Sequence, residues 1–127
     1  MQDFLGNDCA VNTDVFYRAG RKWQKATIIN IHNHKYFMVR DYVGDEILDC
    51  DELIMADIVI QHRSIKEGDK VIYDSPLRYE FQLGVVEKIY PEELIKVDNC
   101  GYLLGYSSCL PLFISDEQLA LYRLVQV

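Results

Sequence analysis

The sequence predicts an all-β protein made of two small five-stranded barrels in tandem, packed together. Short runs of β-branched and aromatic residues alternate with turn residues, and no stretch keeps apolar residues at helical spacing over three turns. The strand pattern of the first half then returns in the second. With 127 residues, half of them apolar, the chain can form one ordinary domain or two very small ones.

The first half is predicted to hold five strands after a short ordered lead-in over residues 1–11. Alternation along the second strand places Ala26 and Ile28 on one face and Trp23, Ile29 and Ile31 on the other. Asn33 is expected in a left-handed turn, and a single helical turn is expected just before the last strand. The predicted strands span residues 15–17, 23–31, 35–41, 46–50 and 58–60.

The second half repeats this order of elements. Residues 84–89 match 26–31, and residues 94–99 match 36–41, in both cases 58 positions later (84 − 26 and 94 − 36). The match of 119–125 to 53–59 lies 66 positions on (119 − 53), because the insert 101–115 is longer in the second half. We therefore predict a first barrel over residues 1–62 and a second over 63–127, with only a short last turn near 116–118.

The charge balance disfavours tight binding of nucleic acid, which needs several phosphate-neutralising cations on one face. The net charge is −7, with ten acidic and seven basic residues in 1–63 and ten and six in 64–127. Nucleic acid and small nucleotide-like ligands stay as alternatives. The basic candidates for such a site are Arg18, Arg21, Lys22 and Lys25.

The sequence offers no pattern for catalysis, a cofactor or a metal. The four cysteines are widely spaced and predict free thiols rather than a zinc site or a disulfide framework. His32 and His34 fall at a predicted turn without a third ligand. No signal peptide or membrane-spanning run is found, so we expect a non-enzymatic, soluble, cytoplasmic protein.

The first unit resembles a Tudor domain, a family with an SH3-like five-stranded barrel. The resemblance rests on residues 23–28 (WQKATI), 39–46 (VRDYVGDE) and the pair Glu52-Leu53. In the second unit, residues 67–71 (EGDKV) and 83–86 (LGVV) are similar to the start of generic SH3-like domains.

Many Tudor domains bind methylated lysine or arginine in an aromatic cage. The resemblance places Tyr17 and Tyr42 at two cage positions. Gln24 and Val39 stand where two further aromatic residues would be, and Gly44 replaces the polar residue that contacts the methylated group. An incomplete cage is therefore expected, and a methyl-lysine or methyl-arginine peptide reader is an alternative function.

The opening residues 3–6 (DFLG), followed by a VFY strand, are also similar to small SH3-like proteins of tailed phages. That likeness implies an inhibitor that occupies a host protein or defence complex.

A protein partner is the leading expectation, because the aromatic residues of both units exceed what two small cores can hold and a dense acidic run lies in the first unit. Tyrosine and tryptophan are enriched at interface hot spots, and complementary charge steers association. The predicted partner-binding residues are Tyr17, Trp23, Asp41, Tyr42, Asp45, Glu46, Tyr102 and Tyr106.

Overall fold

The computed structural model describes residues 1–20, 22–75 and 80–126. The chain forms two compact units, Met1–Asp57 and Ile58–Val127. Each unit contains one five-stranded antiparallel sheet, so the chain is mostly β, as the sequence predicts.

In the first unit the strands follow the order β4-β3-β2-β1-β5, with every neighbouring pair antiparallel. Short 3-10 turns over Cys50–Glu52 and Ala56–Ile58 flank the last strand. The strands are β1 (Asp14–Ala19), β2 (Lys22–His32), β3 (Tyr36–Arg40), β4 (Asp45–Leu48) and β5 (Leu53–Met55).

Alternation builds the core of this unit, because every second side chain of a strand faces the same side. Val15, Ile28, Phe37 and Val39 are fully buried on that side. A bulge after Ile28 shifts the β2–β3 register, and Ile31 beyond it packs onto the same core. The predicted faces of β3 are therefore confirmed, as are those of β2 as far as Ile28. The prediction that Ile31 lies on the face opposite Ile28 is wrong, because the bulge turns Ile31 to the core side.

The residues before β1 are tied to the last strand by a buried carboxylate. Asp3 accepts hydrogen bonds from the backbone N–H groups of Leu5 (3.0 Å), Asn7 (2.8 Å) and Met55 (2.8 Å). The N–H of Phe4 also donates to the carbonyl of Leu53 at 3.0 Å. The outer side of β5 is thus occupied by the chain itself.

The second unit has the same strand order, β10-β6-β7-β8-β9. The bulge in β7 falls between Val86 and Lys88, 58 positions after the bulge between Ile28 and Asn30 (86 − 28 and 88 − 30). Its elements are β6 (Lys70–Asp74), β7 (Phe81–Tyr90), β8 (Leu94–Val97), β9 (Leu104–Gly105), β10 (Cys109–Leu112) and helix α1 (Asp116–Gln126).

The predicted fifth strand of the first unit, residues 58–60, is wrong. The N–H of Ile60 donates to the carbonyl of Pro111 (2.8 Å), and the N–H of Phe113 donates to the carbonyl of Ile58 (2.7 Å). These residues therefore extend the second sheet beside β10, and the division between the units falls after Asp57 rather than after residue 62.

The prediction that residues 116–118 form only a short last turn is also wrong, because helix α1 spans the 11 residues Asp116–Gln126. The hydroxyl of Ser115 accepts the N–H of Gln118 at 3.1 Å, which satisfies one of the free N–H groups at the start of the helix. Leu119 is buried whereas Leu121 is exposed, so the apolar pattern of the helix is too sparse to read from the sequence. The fifth strand of the second unit is β10, not residues 119–125.

Helix α1 is held on the second sheet by polar contacts as well as by Leu119. The hydroxyl of Tyr122 donates to the carbonyl of Phe81 at 2.9 Å, and Arg123 pairs with Asp98 at 2.8 Å. Among the residues described, no helix has the length and apolar character needed to span a membrane.

Candidate functional site

A cleft of about 340 Å³ opens in the first unit, where the β1–β2 hairpin lies beside the β3–β4 hairpin. It combines aromatic side chains with three carboxylates. Its lining residues are Tyr17, Ala19, Lys22, Gln24, Asp41, Tyr42, Val43, Gly44, Asp45 and Glu46.

The inner part of the cleft is formed by Tyr17 and Asp41. Tyr17 is only 5% exposed, and its hydroxyl donates to Oδ2 of Asp41. The other carboxylate oxygen, Oδ1, accepts the backbone N–H groups of Val43 at 2.8 Å and Gly44 at 3.0 Å. The carboxylate therefore fixes the β3–β4 turn as well as the orientation of the tyrosine.

These bonds set the protonation of the inner pair. Donation by Tyr17, followed by the two N–H groups of the turn, holds the pKa of Asp41 below its usual value. Burial, together with the hydrogen bond to Asp41, raises the pKa of Tyr17 above its usual range. At neutral pH Asp41 is therefore an anion and Tyr17 a neutral donor.

The lining of the cleft as a whole carries more negative charge than positive, because the carboxylates of Asp41, Asp45 and Glu46 accompany a single lysine. The guanidinium of Arg40 binds Asp45 through two hydrogen bonds of 2.8 and 3.2 Å, which lower the pKa of Asp45. Glu46 is exposed and makes no ion pair with any residue that the structure describes. Lys22 supplies one positive charge on the opposite wall.

The rim presents two large apolar side chains to solvent. Tyr42 is 76% exposed and Val43 is 78% exposed, both in the turn between β3 and β4. Exposed aromatic surface beside carboxylates suits a cationic side chain with a long apolar stem, such as lysine or arginine. Such a group would bury its stem on Tyr42 and place its charge near Asp41 and Glu46.

Of the eight residues predicted to bind a partner, the structure brings Tyr17, Asp41, Tyr42, Asp45 and Glu46 together in this cleft. The other three lie elsewhere.

Trp23 lies on the other face of β2 from Gln24, where the guanidinium of Arg18 is 5.5 Å from its ring centroid. Tyr102 and Tyr106 belong to the second unit, and the hydroxyl of Tyr106 accepts the N–H of Ile65 at 2.7 Å. Tyr106 therefore has a structural role in its own unit.

The positions expected from the Tudor resemblance are divided between the cleft and the core. Gln24 and Gly44 line the cleft, whereas Val39 is completely buried in the core. The sequence does not predict Ala19 or Val43 as site residues. Only their positions point to the site, since Ala19 ends β1 and Val43 lies in the β3–β4 turn, each close to a predicted site residue.

The basic cluster considered for nucleic acid does not form one surface. Lys22 faces the cleft, whereas Arg18 and Lys25 occupy alternate positions on the opposite face of the hairpin. Arg21 lies outside the described residues. The described part of the cluster therefore gives no continuous strip of cations along which a phosphate backbone could run.

The corresponding end of the second unit is arranged differently. Tyr73 takes the place of Tyr17 and donates to Oδ1 of Asn99 at 3.0 Å, while the amide of Asn99 donates to the carbonyl of Leu83 at 2.6 Å. Asn99 can reach that carbonyl because Gly84, the counterpart of Ala26, leaves space for it. An inward-turned amide thus replaces the carboxylate that lines the cleft of the first unit.

One cluster of acidic side chains has the spacing of a metal site. Carboxylate oxygens of Asp49, Asp51 and Glu52 lie within 4.8 Å of one another, and all three residues are exposed. Glu52 accepts the N–H of Asp49 at 2.9 Å, so it caps the 3-10 turn. His32 and His34 flank the turn at Asn33, whose φ of 52° agrees with the predicted left-handed conformation.

No protein-family model matches this chain, and no curated protein matches it either.

Proposed function

We propose that this chain is a non-enzymatic binding protein and that the cleft of its first unit holds a basic side chain of a protein partner. The observation that carries the proposal is the meeting of Tyr17, Asp41, Tyr42 and Glu46 around one open cleft. An anionic pocket with an exposed aromatic rim attracts a cationic residue and gives its stem an apolar surface.

Within this proposal each sheet is the wall of an SH3-like barrel of the Tudor type. The strand order β4-β3-β2-β1-β5, repeated as β9-β8-β7-β6-β10, supports that assignment. The phage likeness suggests a biological setting in which the partner is a host protein or defence complex that the binding inhibits.

The test is affinity capture from a lysate of the cells in which the protein is made, followed by mass spectrometry. We expect a partner that is captured by the wild type and lost with Tyr42→Ala. Trp23→Ala is the matched control, because it also replaces an aromatic residue but lies on the opposite face of β2. Equal capture by the wild type and Tyr42→Ala would contradict the assignment of the cleft.

A methyl-lysine or methyl-arginine reader is the second candidate, supported by the presence of Tyr17 and Tyr42 in the cleft. The two missing aromatic positions weaken the cage, since each cation–π contact is worth about 0.5–2 kcal/mol. Titration of one basic peptide in unmodified and trimethylated forms separates the two functions. A reader prefers the methylated peptide, whereas a general basic-residue site binds both with similar affinity.

A further inference from the structure

Strand β4 is an edge of the first sheet whose outer side is open. It pairs only with β3, at the end of the order β4-β3-β2-β1-β5. At the other edge, Phe4 and Asp3 already bond to β5. Across the described residues, no backbone hydrogen bond joins the outer side of β4 to another segment. An unpaired strand edge is a template for an additional strand.

The hydrogen-bond pattern of the β3–β4 hairpin determines which backbone groups of β4 point away from β3. The N–H of Asp41 donates to the carbonyl of Gly44 at 3.0 Å, so Gly44 bonds toward β3. In an antiparallel pair, the backbone N–H and carbonyl groups of successive residues point alternately toward and away from the neighbouring strand. The backbone groups of Glu46 and Leu48 therefore point toward β3, as those of Gly44 do. The N–H and carbonyl groups of Asp45 and Ile47 therefore face the open side.

The side chains along this edge combine charge with apolar surface. Ile47 is 59% exposed, and the exposed Val43 lies in the turn that leads into the strand. Asp45 and Glu46 precede Ile47, and the acidic residues Asp49, Asp51 and Glu52 follow the strand. Two copies of this edge would repel each other, because like charges would face one another. A strand with basic residues would be attracted.

The described part of the second unit offers no open edge strand of similar length. Its counterpart, β9, is only two residues long, and Leu104 within it is buried. The N–H of the next residue, Tyr106, donates to the carbonyl of Glu93 at 2.8 Å on the side of β8, and the 3-10 turn Tyr106–Ser108 then ends the strand. The open acidic edge is thus a feature of the first unit, where the cleft also lies.

We propose that β4 binds an extended segment of a protein partner as a sixth strand, with basic residues of that segment alternating with small or apolar ones. The backbone groups of Asp45 and Ile47 would pair with the segment, and its basic side chains would lie on the face of the sheet that carries Glu46 and the cleft. This mode of binding rests on the proposed function and specifies the conformation and charge of the bound segment.

The test uses three synthetic ten-residue peptides of alternating lysine and threonine. One is unmodified, and the other two are N-methylated at alternate positions, so that they keep the charge but lose the N–H groups of one edge. The two N-methylated versions, one with methyl groups on the lysines and one on the threonines, cover both possible orientations. Dissociation constants are measured for each by titration, and exchange of the backbone amides is followed by NMR.

We expect the unmodified peptide to bind at least about ten-fold more tightly than one of the N-methylated versions, since pairing needs those N–H groups. We also expect the amides of Asp45 and Ile47 to exchange more slowly when the peptide is bound. Equal affinity for all peptides, or no binding of any of them, would overturn the proposal.

A protein variant gives a second, independent readout. Ile47→Pro removes an outward N–H and leaves the hydrogen bonds to β3 in place, so it is compatible with an edge strand. It should weaken peptide binding about ten-fold, whereas Ile47→Val should leave it within about two-fold. If Ile47→Pro disturbs the fold, the N-methylated peptides still decide the question.

The two proposals fail in different ways. If partner capture depends on Tyr42 but neither N-methylation nor Ile47→Pro affects binding, the cleft binds its partner without strand pairing. If Tyr42→Ala leaves capture unchanged, the proposed function itself is wrong.

Discussion

An alanine at position 84 would place its Cβ atom 2.2 Å from Cγ1 of Val97 and 2.5 Å from Oδ1 of Asn99. Carbon atoms in contact normally lie about 3.5–4.0 Å apart, so the neighbours would have to move by roughly 1 Å or more. Val97 is completely buried, and a close-packed interior gives such a side chain little room to move. Asn99 could turn away only by giving up its bonds to Tyr73 and Leu83.

The cost of Gly84→Ala follows from these contacts. Overpacking a core costs about 1–3 kcal/mol, and each lost hydrogen bond costs about 1 kcal/mol. The lower chain entropy of alanine in the unfolded state offsets about 0.4–1 kcal/mol. We expect a net loss of roughly 2 kcal/mol or more in the free energy of unfolding of the second unit. For a unit of this size, that lowers its melting temperature by roughly 8–16 °C.

Thermal unfolding and amide hydrogen exchange together measure this loss. Exchange should quicken at Val71 and Ile95 in the second unit and stay unchanged at Val15 and Phe37 in the first. Ala26→Gly is the matched control, because it empties the equivalent site without creating a clash. Unchanged stability of Gly84→Ala would refute the idea that the inward-turned Asn99 depends on the space left by Gly84.

Two further outcomes follow from polar contacts of the second unit. Burial acts to raise the pKa of Asp69, but hydrogen bonds from Arg63 and Lys66 outweigh it and keep that pKa below its usual value. Its stabilising contribution is thus complete above pH about 4 and is lost as the pH falls through the folded pKa. Arg63→Ala should therefore move the acid unfolding midpoint to higher pH, as followed by circular dichroism. Arg123→Ala removes the pair with Asp98 and should speed amide exchange in α1 while leaving the sheet unchanged.

Much of the fold can be predicted from local sequence pattern, because the alternation of apolar and polar residues in a half-buried sheet is visible in the sequence. The faces of β3, and of β2 as far as Ile28, agree with the structure, whereas the bulge that reverses Ile31 leaves no local signal in the sequence. The internal offset of 58 positions coincides with the two bulges. The sequence misplaces the last strand of the first unit because Ile58 and Ile60 are as apolar as β5. Only long-range pairing with β10 assigns them to the second unit.

The cleft could be predicted only in part. Tyr17 and Asp41 are 24 positions apart in sequence, and their hydrogen bond depends on how the β1–β2 and β3–β4 hairpins meet. Tryptophan is common at interfaces, which favours Trp23 as a site residue, but its position in β2 turns it to the other face. The sequence does not predict helix α1, and among its described side chains Leu119 is buried whereas Leu121 is exposed.

The central claim, that the acidic cleft of the first unit binds a basic protein partner, is tested most directly by the affinity of a captured partner for a charge-reversed cleft. The double variant Asp45→Lys/Glu46→Lys is compared with Glu92→Lys/Glu93→Lys, which makes the same change in charge at an exposed turn of the second unit. Calorimetric titration should show a loss of at least about ten-fold for the first variant and little change for the second. Equal affinities for the two variants would contradict the claim.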